Sequence, residues 1–296
     1  MKKETFIFIQ ELKKRVLRWR VVAFICIFCL VISSSGNILN EKTNKDIIAR
    51  VKIEGVINDG VFSYDSIKEL KNDNVKGIIL DINSGGGDVV ESEKLYYAFR
   101  NLSKIIPVVS VINSVGASGA YMVAMASDYI ISYMNSTVGS LGVLLQTYEI
   151  TELAKKIGVT LVNYKSSPLK AAPNPMEKVN PDVDMVMSQQ INDIYDYFIN
   201  IFVERRKIKI TEAQEIANGQ VYTGRQALEY GLVDKVGTED DALDYFKDNN
   251  INVNELEVVD YDIRNHEKFS ISNVLNSFIG SKLYNNAFGG FKATLK

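Results

Sequence analysis

The 296-residue sequence predicts an α/β fold of βαβ units with a helical C-terminal part, preceded by one N-terminal transmembrane helix. Three observations predict it. β-rich apolar runs alternate with helical patterns from Ile47 to Tyr164, which argues for parallel βαβ units. Beyond Pro181 the pattern is mainly helical. An uncharged stretch, Val21–Asn40, follows a basic leader and is about long enough to cross a ~30 Å hydrocarbon core.

The leader carries Lys2, Lys3, Lys13, Lys14, Arg15, Arg18 and Arg20 against Glu4 and Glu11, although the whole chain has a net charge of -2. The positive-inside rule therefore places residues 1–20 in the cytoplasm and the body on the outer side of the cell membrane. A cleaved signal peptide ending near Ser33–Gly36 is the competing reading, but the leader is long for one. A buried core helix would keep a polar stripe, which Val21–Ile32 lacks. The expected organisation is a cytoplasmic segment (1–20), a signal anchor (21–40), one main domain (41–265) and a tail (266–296).

In the main domain, Ile47–Ile57 reads as a strand, Ser63–Asp73 as a short helix and Val75–Asn83 as a buried strand. Asp88–Phe99 reads as a helix, Ile106–Asn113 as a strand, Ala117–Ala126 as a small-residue helix and Tyr129–Tyr133 as a strand. Gly158–Tyr164 is expected to be a further strand. Asp182–Arg206 is one long helix, followed by helices at Thr211–Asn218, Gly224–Tyr230 and Glu239–Lys247 and a strand at Val253–Asp262. In the tail, Ile271, Val274, Leu275, Phe278, Ile279 and Leu283 have helical spacing. With few basic residues, that helix reads as one docked on protein rather than lying on a membrane surface.

Composition narrows the chemistry. Hydrophobic residues are 46% and charged residues 24%, which excludes disordered and collagen-like chains. The near-neutral balance gives no global field for nucleic acid, so none is expected as a partner. His266 is the one histidine, so any histidine-based triad or zinc site would have to use it. Cys26 and Cys29 both lie in the apolar stretch, which leaves the body without a disulfide or a cysteine nucleophile. A covalent catalyst would be Ser or Thr, activated by something other than histidine.

Three glycine-containing turns are the candidate chemistry. Asn83-Ser84-Gly85-Gly86-Gly87-Asp88 follows a strand and precedes a helix. It lacks the spacing of a phosphate loop and reads as a tight βα turn or an oxyanion-binding turn. Ser118, in Ala117-Ser118-Gly119-Ala120-Tyr121, opens a helix. It is either an N-cap or a nucleophile with the Gly119 N–H aimed at a developing oxyanion. Gly139-Ser140-Leu141-Gly142-Val143 is by itself only a turn.

In this order the turns resemble the signal peptide peptidase A family of membrane-bound serine peptidases, within the Clp protease/crotonase superfamily. Ser84-Gly85-Gly86-Gly87 resembles its SPGG turn, with Gly85 in place of proline, and Ala117–Tyr121 its ASGGY turn, with Ala120 for the second glycine. Gly139–Val143 is similar to GSIGV, Asn218–Ala227 to DGRVYTGRQA and Gly231–Gly237 to GLVDELG. The resemblance spans roughly residues 47 to 260. It implies a Clp/crotonase-like spiral for the main domain and a Ser-Lys dyad with no metal or other cofactor.

It further implies Ser118 as nucleophile, Lys170 as general base, Ser140 as the hydroxyl orienting the lysine, and Gly119 with Gly87 or Gly86 as oxyanion donors. Lys165 is the alternative base. Free lysine has a pKa of ~10.4, so a lysine base at pH 7 costs ~4.6 kcal/mol to deprotonate unless it is desolvated. The family assembles oligomers in which neighbouring protomers contribute Ser and Lys, so a homo-oligomer with sites at subunit interfaces is expected. The implied substrates are remnant signal peptides or similar apolar, unstructured peptides at the membrane. Two other readings stay open: a catalytically inactive membrane-anchored scaffold, raised by the altered contexts of Gly85, Ala120 and Lys170, and a crotonase-like acyl-CoA enzyme, against which the anchor argues.

Overall fold

The computed structural model describes residues 13–24, 45–72, 74–178 and 180–265. The chain divides into two units, residues 1–45 and 46–296. In the first, residues 13–24 are helical with exposed side chains. Past residue 24 the expected anchor lies outside the described residues, as do His266 and the tail. Among the described residues no helix is long and apolar enough to cross a membrane.

The second unit begins with β1 (Ile47–Ile57), α1 (Tyr64–Glu69), β2 (Val75–Gly87), α2 (Val89–Leu102), β3 (Val108–Ala117), α3 (Gly119–Ala124), β4 (Tyr129–Ser132) and β5 (Thr137–Gly139). It continues with α4 (Thr151–Lys156), α5 (Pro181–Arg206), α6 (Ile210–Ile216), β6 (Val221–Thr223), α7 (Gly224–Glu229), β7 (Lys235–Val236), α8 (Glu239–Asp248), a 3-10 turn (Val253–Glu255) and β8 (Glu257–Tyr261). The strands form one sheet in the order β6-β5-β3-β2-β1-β8, with β4 beside β3 and β7 beside β4. All pairs are parallel except β5–β6. Val109–Ile112 of β3 pair with β4, whereas Val115–Ala117 pair with β5, so the sheet forks at residues 113–114.

The central strands are buried on both faces, as their near-continuous apolar runs require. Ile78, Ile79, Leu80 and Ile82 of β2 are fully buried. One face packs against Leu95 and Phe99 of α2, Tyr121 of α3 and Phe198 and Phe202 of α5. On the other, Ile48, Ile79, Val109, Val111 and Ile131 pack with Ala242 and Phe246 of α8. Helix starts are set locally: Asp88 caps α2 by accepting the Glu91 N–H, and Asn180 caps α5 ahead of Pro181.

Two expectations need correction, and three short strands went unread. Gly158–Tyr164 forms no strand; its backbone has no sheet neighbour, and Val162 and Tyr164 are exposed. An alternating pattern supplies β propensity but not an edge to pair with. The late strand is confined to Glu257–Tyr261, where β1 offers a partner. The two- and three-residue strands β5, β6 and β7 carry too little periodicity to be read from sequence.

Candidate active site

The glycine turns converge at the C-terminal ends of β2 and β3, the edge where open α/β sheets bind ligands. β3 ends at Ala117 and α3 begins at Gly119, which leaves Ser118 to make the corner, with φ 53° and ψ -125°. Such a backbone costs a residue with a Cβ ~1–3 kcal/mol. It projects a side chain at a sharp strand-to-helix turn, as nucleophilic serines do. The corner is held by the Ser118 N–H, which donates to Gly139 O at 2.8 Å. Ser118 takes the N-cap position of α3, yet its hydroxyl makes no capping bond, whereas Ser63, Asp88, Asn180 and Thr223 all cap their helices. The capping role weighed for Ser118 is therefore not the one its side chain performs.

The triple-glycine turn lies against this corner. Gly86 has φ +92°, and a Cβ there would stand 2.6 Å from Gly119 N and 3.1 Å from Ser118 Cβ, so only glycine fits. The Gly86 N–H donates to Ser84 Oγ at 3.1 Å. The Asp88 N–H donates to Ile57 O in β1, and alternation along β2 turns the Gly87 N–H to the opposite side, toward Gly119. Gly119 itself abuts Ser92 of α2: a Cβ at 119 would fall 2.1 Å from Ser92 Oγ. That hydroxyl donates to Asp88 O at 2.7 Å.

A small cleft of about 20 Å³, partly open to solvent, adjoins Ser118. Val89, Met122, Val143, Ile194 and Phe198 supply its apolar lining, with Ser92, Gly87, Gly119 and Gly142. Ile194 and Phe198, one turn apart on α5, were not anticipated as site residues, and neither was Ser92. Their apolar helical spacing looks the same whether it faces a core or a cleft. A larger groove of about 290 Å³ runs beside β1 and β8, but its charges satisfy one another: Arg50 and Lys52 pair with Asp260, and Arg264 pairs with Glu54.

Ser140 follows Gly139, has φ 51°, and donates its N–H to Gln220 O at 2.8 Å, so it is carried next to the Ser118 corner. Lys170 is not brought into the cleft of its own chain. It sits exposed on a turn whose Lys170 N–H donates to Ser167 O at 3.1 Å. Lys165 pairs with Glu177 at 2.5 Å, and Glu177 is held below the usual carboxylate range by hydrogen bonds from Lys165 and Asn163. Lys165 is thus committed to an ion pair within its own loop. Among the described residues no group of histidines, cysteines and carboxylates could hold a metal ion.

A strained serine whose hydroxyl caps no helix, lining an apolar cleft with two glycines, has the layout of acyl-transfer chemistry. Comparison with known proteins defines the class further. Residues 100–254 match the model of peptidase family S49. A Methanocaldococcus jannaschii protein named as a protease is 36% identical over 220 residues, covering 74% of this chain and 70% of its own. An Enterococcus faecium protein named as signal peptide peptidase SppA is 30% identical over 271 residues, covering 86% and 76%. A Synechocystis protein named as a protease is 32% identical over 197 residues, covering 66% and 71%. The chain belongs to peptidase family S49, the family of signal peptide peptidase SppA, and is by family a protease.

Proposed function

We propose that the chain is a membrane-anchored serine endopeptidase that degrades remnant signal peptides or similar apolar, unstructured peptides. The observation that carries this reading is Ser118: a strained corner residue whose hydroxyl is spared from capping and which lines an apolar cleft together with Gly87 and Gly119. The neutral amine of Lys170 takes the proton from Ser118 Oγ, and the oxygen attacks a peptide carbonyl. The Gly119 and Gly87 N–H groups receive the charge that develops on the carbonyl oxygen. The lysine ammonium then gives its proton to the departing amine, leaving an ester on Ser118. Water, deprotonated by the same lysine, releases the acid and restores the serine. Ser140 orients the lysine amine.

The exposed position of Lys170 within one chain supports a site completed by a neighbouring copy. So does the apolar surface of the chain segment that precedes it. Leu144 is 81% exposed and Tyr164 97%, and Tyr148, Leu153, Ile157 and Val162 between them in the chain are exposed too, apolar surface of the kind that protein contacts cover. Packing there would also remove the lysine from water, as a neutral base demands. The forked sheet supports a Clp/crotonase-like spiral. The uncharged stretch 21–40 behind a basic leader supports anchoring, with the catalytic domain on the extracytoplasmic side.

The test is hydrolysis of an apolar fluorogenic peptide by the full chain in detergent, beside Ser118→Ala, Lys170→Ala and Lys165→Ala. The reading requires activity that is lost in the first two variants and kept in the third. Loss in Lys165→Ala with activity kept in Lys170→Ala would move the base. An inactive parent that is correctly assembled would favour the scaffold.

A further inference from the structure

We infer that Ser84 is a positioning residue that sets the oxyanion turn against the nucleophile, an inference that rests on the assignment of Ser118 above. The sheet loses its regular register beside Ser84. Between β1 and β2 the pairs run Glu54–Asn83 and then Val56–Gly86, so Gly55 faces two residues, Ser84 and Gly85. Between β2 and β3 they run Ile82–Ile112 and then Ser84–Gly116, with three β3 residues opposite one. An irregular ladder has less backbone hydrogen bonding to hold its geometry.

Into that gap the Ser84 side chain places a two-way link. Its hydroxyl donates to Gly55 O at 2.6 Å and accepts the Gly86 N–H at 3.1 Å. Ser84 is 2% exposed, so water does not compete for either bond. The link acts on the part of the turn that touches the catalytic corner, because Gly86 sits against Gly119 N and Ser118 Cβ. It also keeps the Gly86 N–H on the β1 side and leaves the Gly87 N–H facing Gly119. Three consecutive glycines carry the most backbone freedom a chain can have, so this turn has few internal restraints of its own. Ser84 does not touch the reacting atoms; it acts through Gly86 and Gly87.

The experiment compares steady-state kinetics of the full chain and its Ser84→Ala, Ser84→Cys and Ser118→Ala variants on the same apolar peptide, with melting temperature recorded. Loss of one whole oxyanion donor costs ~100–1000-fold in kcat, so a loosened donor is expected to cost about 10-fold or more, with KM within about twofold of the parent. Ser84→Cys, with a weaker donor, falls between parent and Ser84→Ala, and keeps the test readable if the alanine variant folds poorly. Adding Gly85→Ala to Ser84→Ala recovers part of kcat, because a Cβ at Gly85 meets nothing within 4 Å and stiffens the turn. Parent kcat in Ser84→Ala overturns the inference, as does a rise in KM at unchanged kcat. Activity retained in Ser118→Ala would instead overturn the nucleophile assignment itself.

Discussion

Replacing Ser118 by glycine should make the protein more stable and inactive. At φ 53° and ψ -125° the serine Cβ is held in a sparsely populated conformation, which stores ~1–3 kcal/mol. Glycine adopts that backbone freely but brings ~0.5–1 kcal/mol of extra unfolded-chain entropy. The net gain is therefore about 1 kcal/mol, at the centre of a range of ~0–2.5 kcal/mol, or about 2–4 °C in Tm for a domain of this size. Ser118→Ala is the necessary control. It removes the same hydroxyl but retains the Cβ, so its Tm should stay within about 1 °C of the parent. Since Ser118 Oγ caps nothing, neither variant loses a structural hydrogen bond on that account. The assay is a thermal melt of the three proteins at equal concentration, paired with peptide hydrolysis. A Ser118→Gly protein that melts no higher than Ser118→Ala would refute the claim that strain is stored at the corner.

Three further outcomes are expected. Gly86→Ala combines a left-handed φ with a Cβ only 2.6 Å from Gly119 N, so it should lower both kcat and Tm, and normal kinetics would contradict the packing of the two turns. If dyads form between protomers, co-assembling inactive Ser118→Ala and Lys170→Ala chains in equal amounts should restore about a quarter of the parent activity, read by hydrolysis of the mixed oligomer; no recovery would place the dyad within one chain. Asp260 is held below the usual carboxylate range by a hydrogen bond from Lys52, so its contribution to stability is present above the ordinary Asp pKa of ~3.9 and is lost as pH falls through its lower folded value. Asp260→Asn should then melt below the parent at pH 6 and close to it at pH 2–3, and an equal gap at both would refute the linkage.

The sequence exposes what is local and hides what is assembled over distance. Ser118 and its flanking small residues were legible because a strand, a small-residue turn and a helix follow one another within a dozen positions. The triple-glycine turn was legible for the same reason. Which of its glycines faces the nucleophile was not, because that depends on the β1–β2 register and on the Ser84 hydroxyl. Ile194 and Phe198 reach the cleft from α5, far along the chain, and their spacing fits a core helix equally well. Gly158–Tyr164 shows the converse: β-like residues without a neighbouring edge stay outside the sheet and exposed.

The most direct measurement of the central claim is covalent labelling of the assembled full-length protein with a serine-directed fluorophosphonate, read by intact mass and peptide mapping. One adduct per chain, located on Ser118, absent from Ser118→Ala and formed in step with loss of peptide hydrolysis, is the predicted result. Hydrolysis that persists after complete labelling of Ser118, or an adduct on a different serine that abolishes activity, would contradict it.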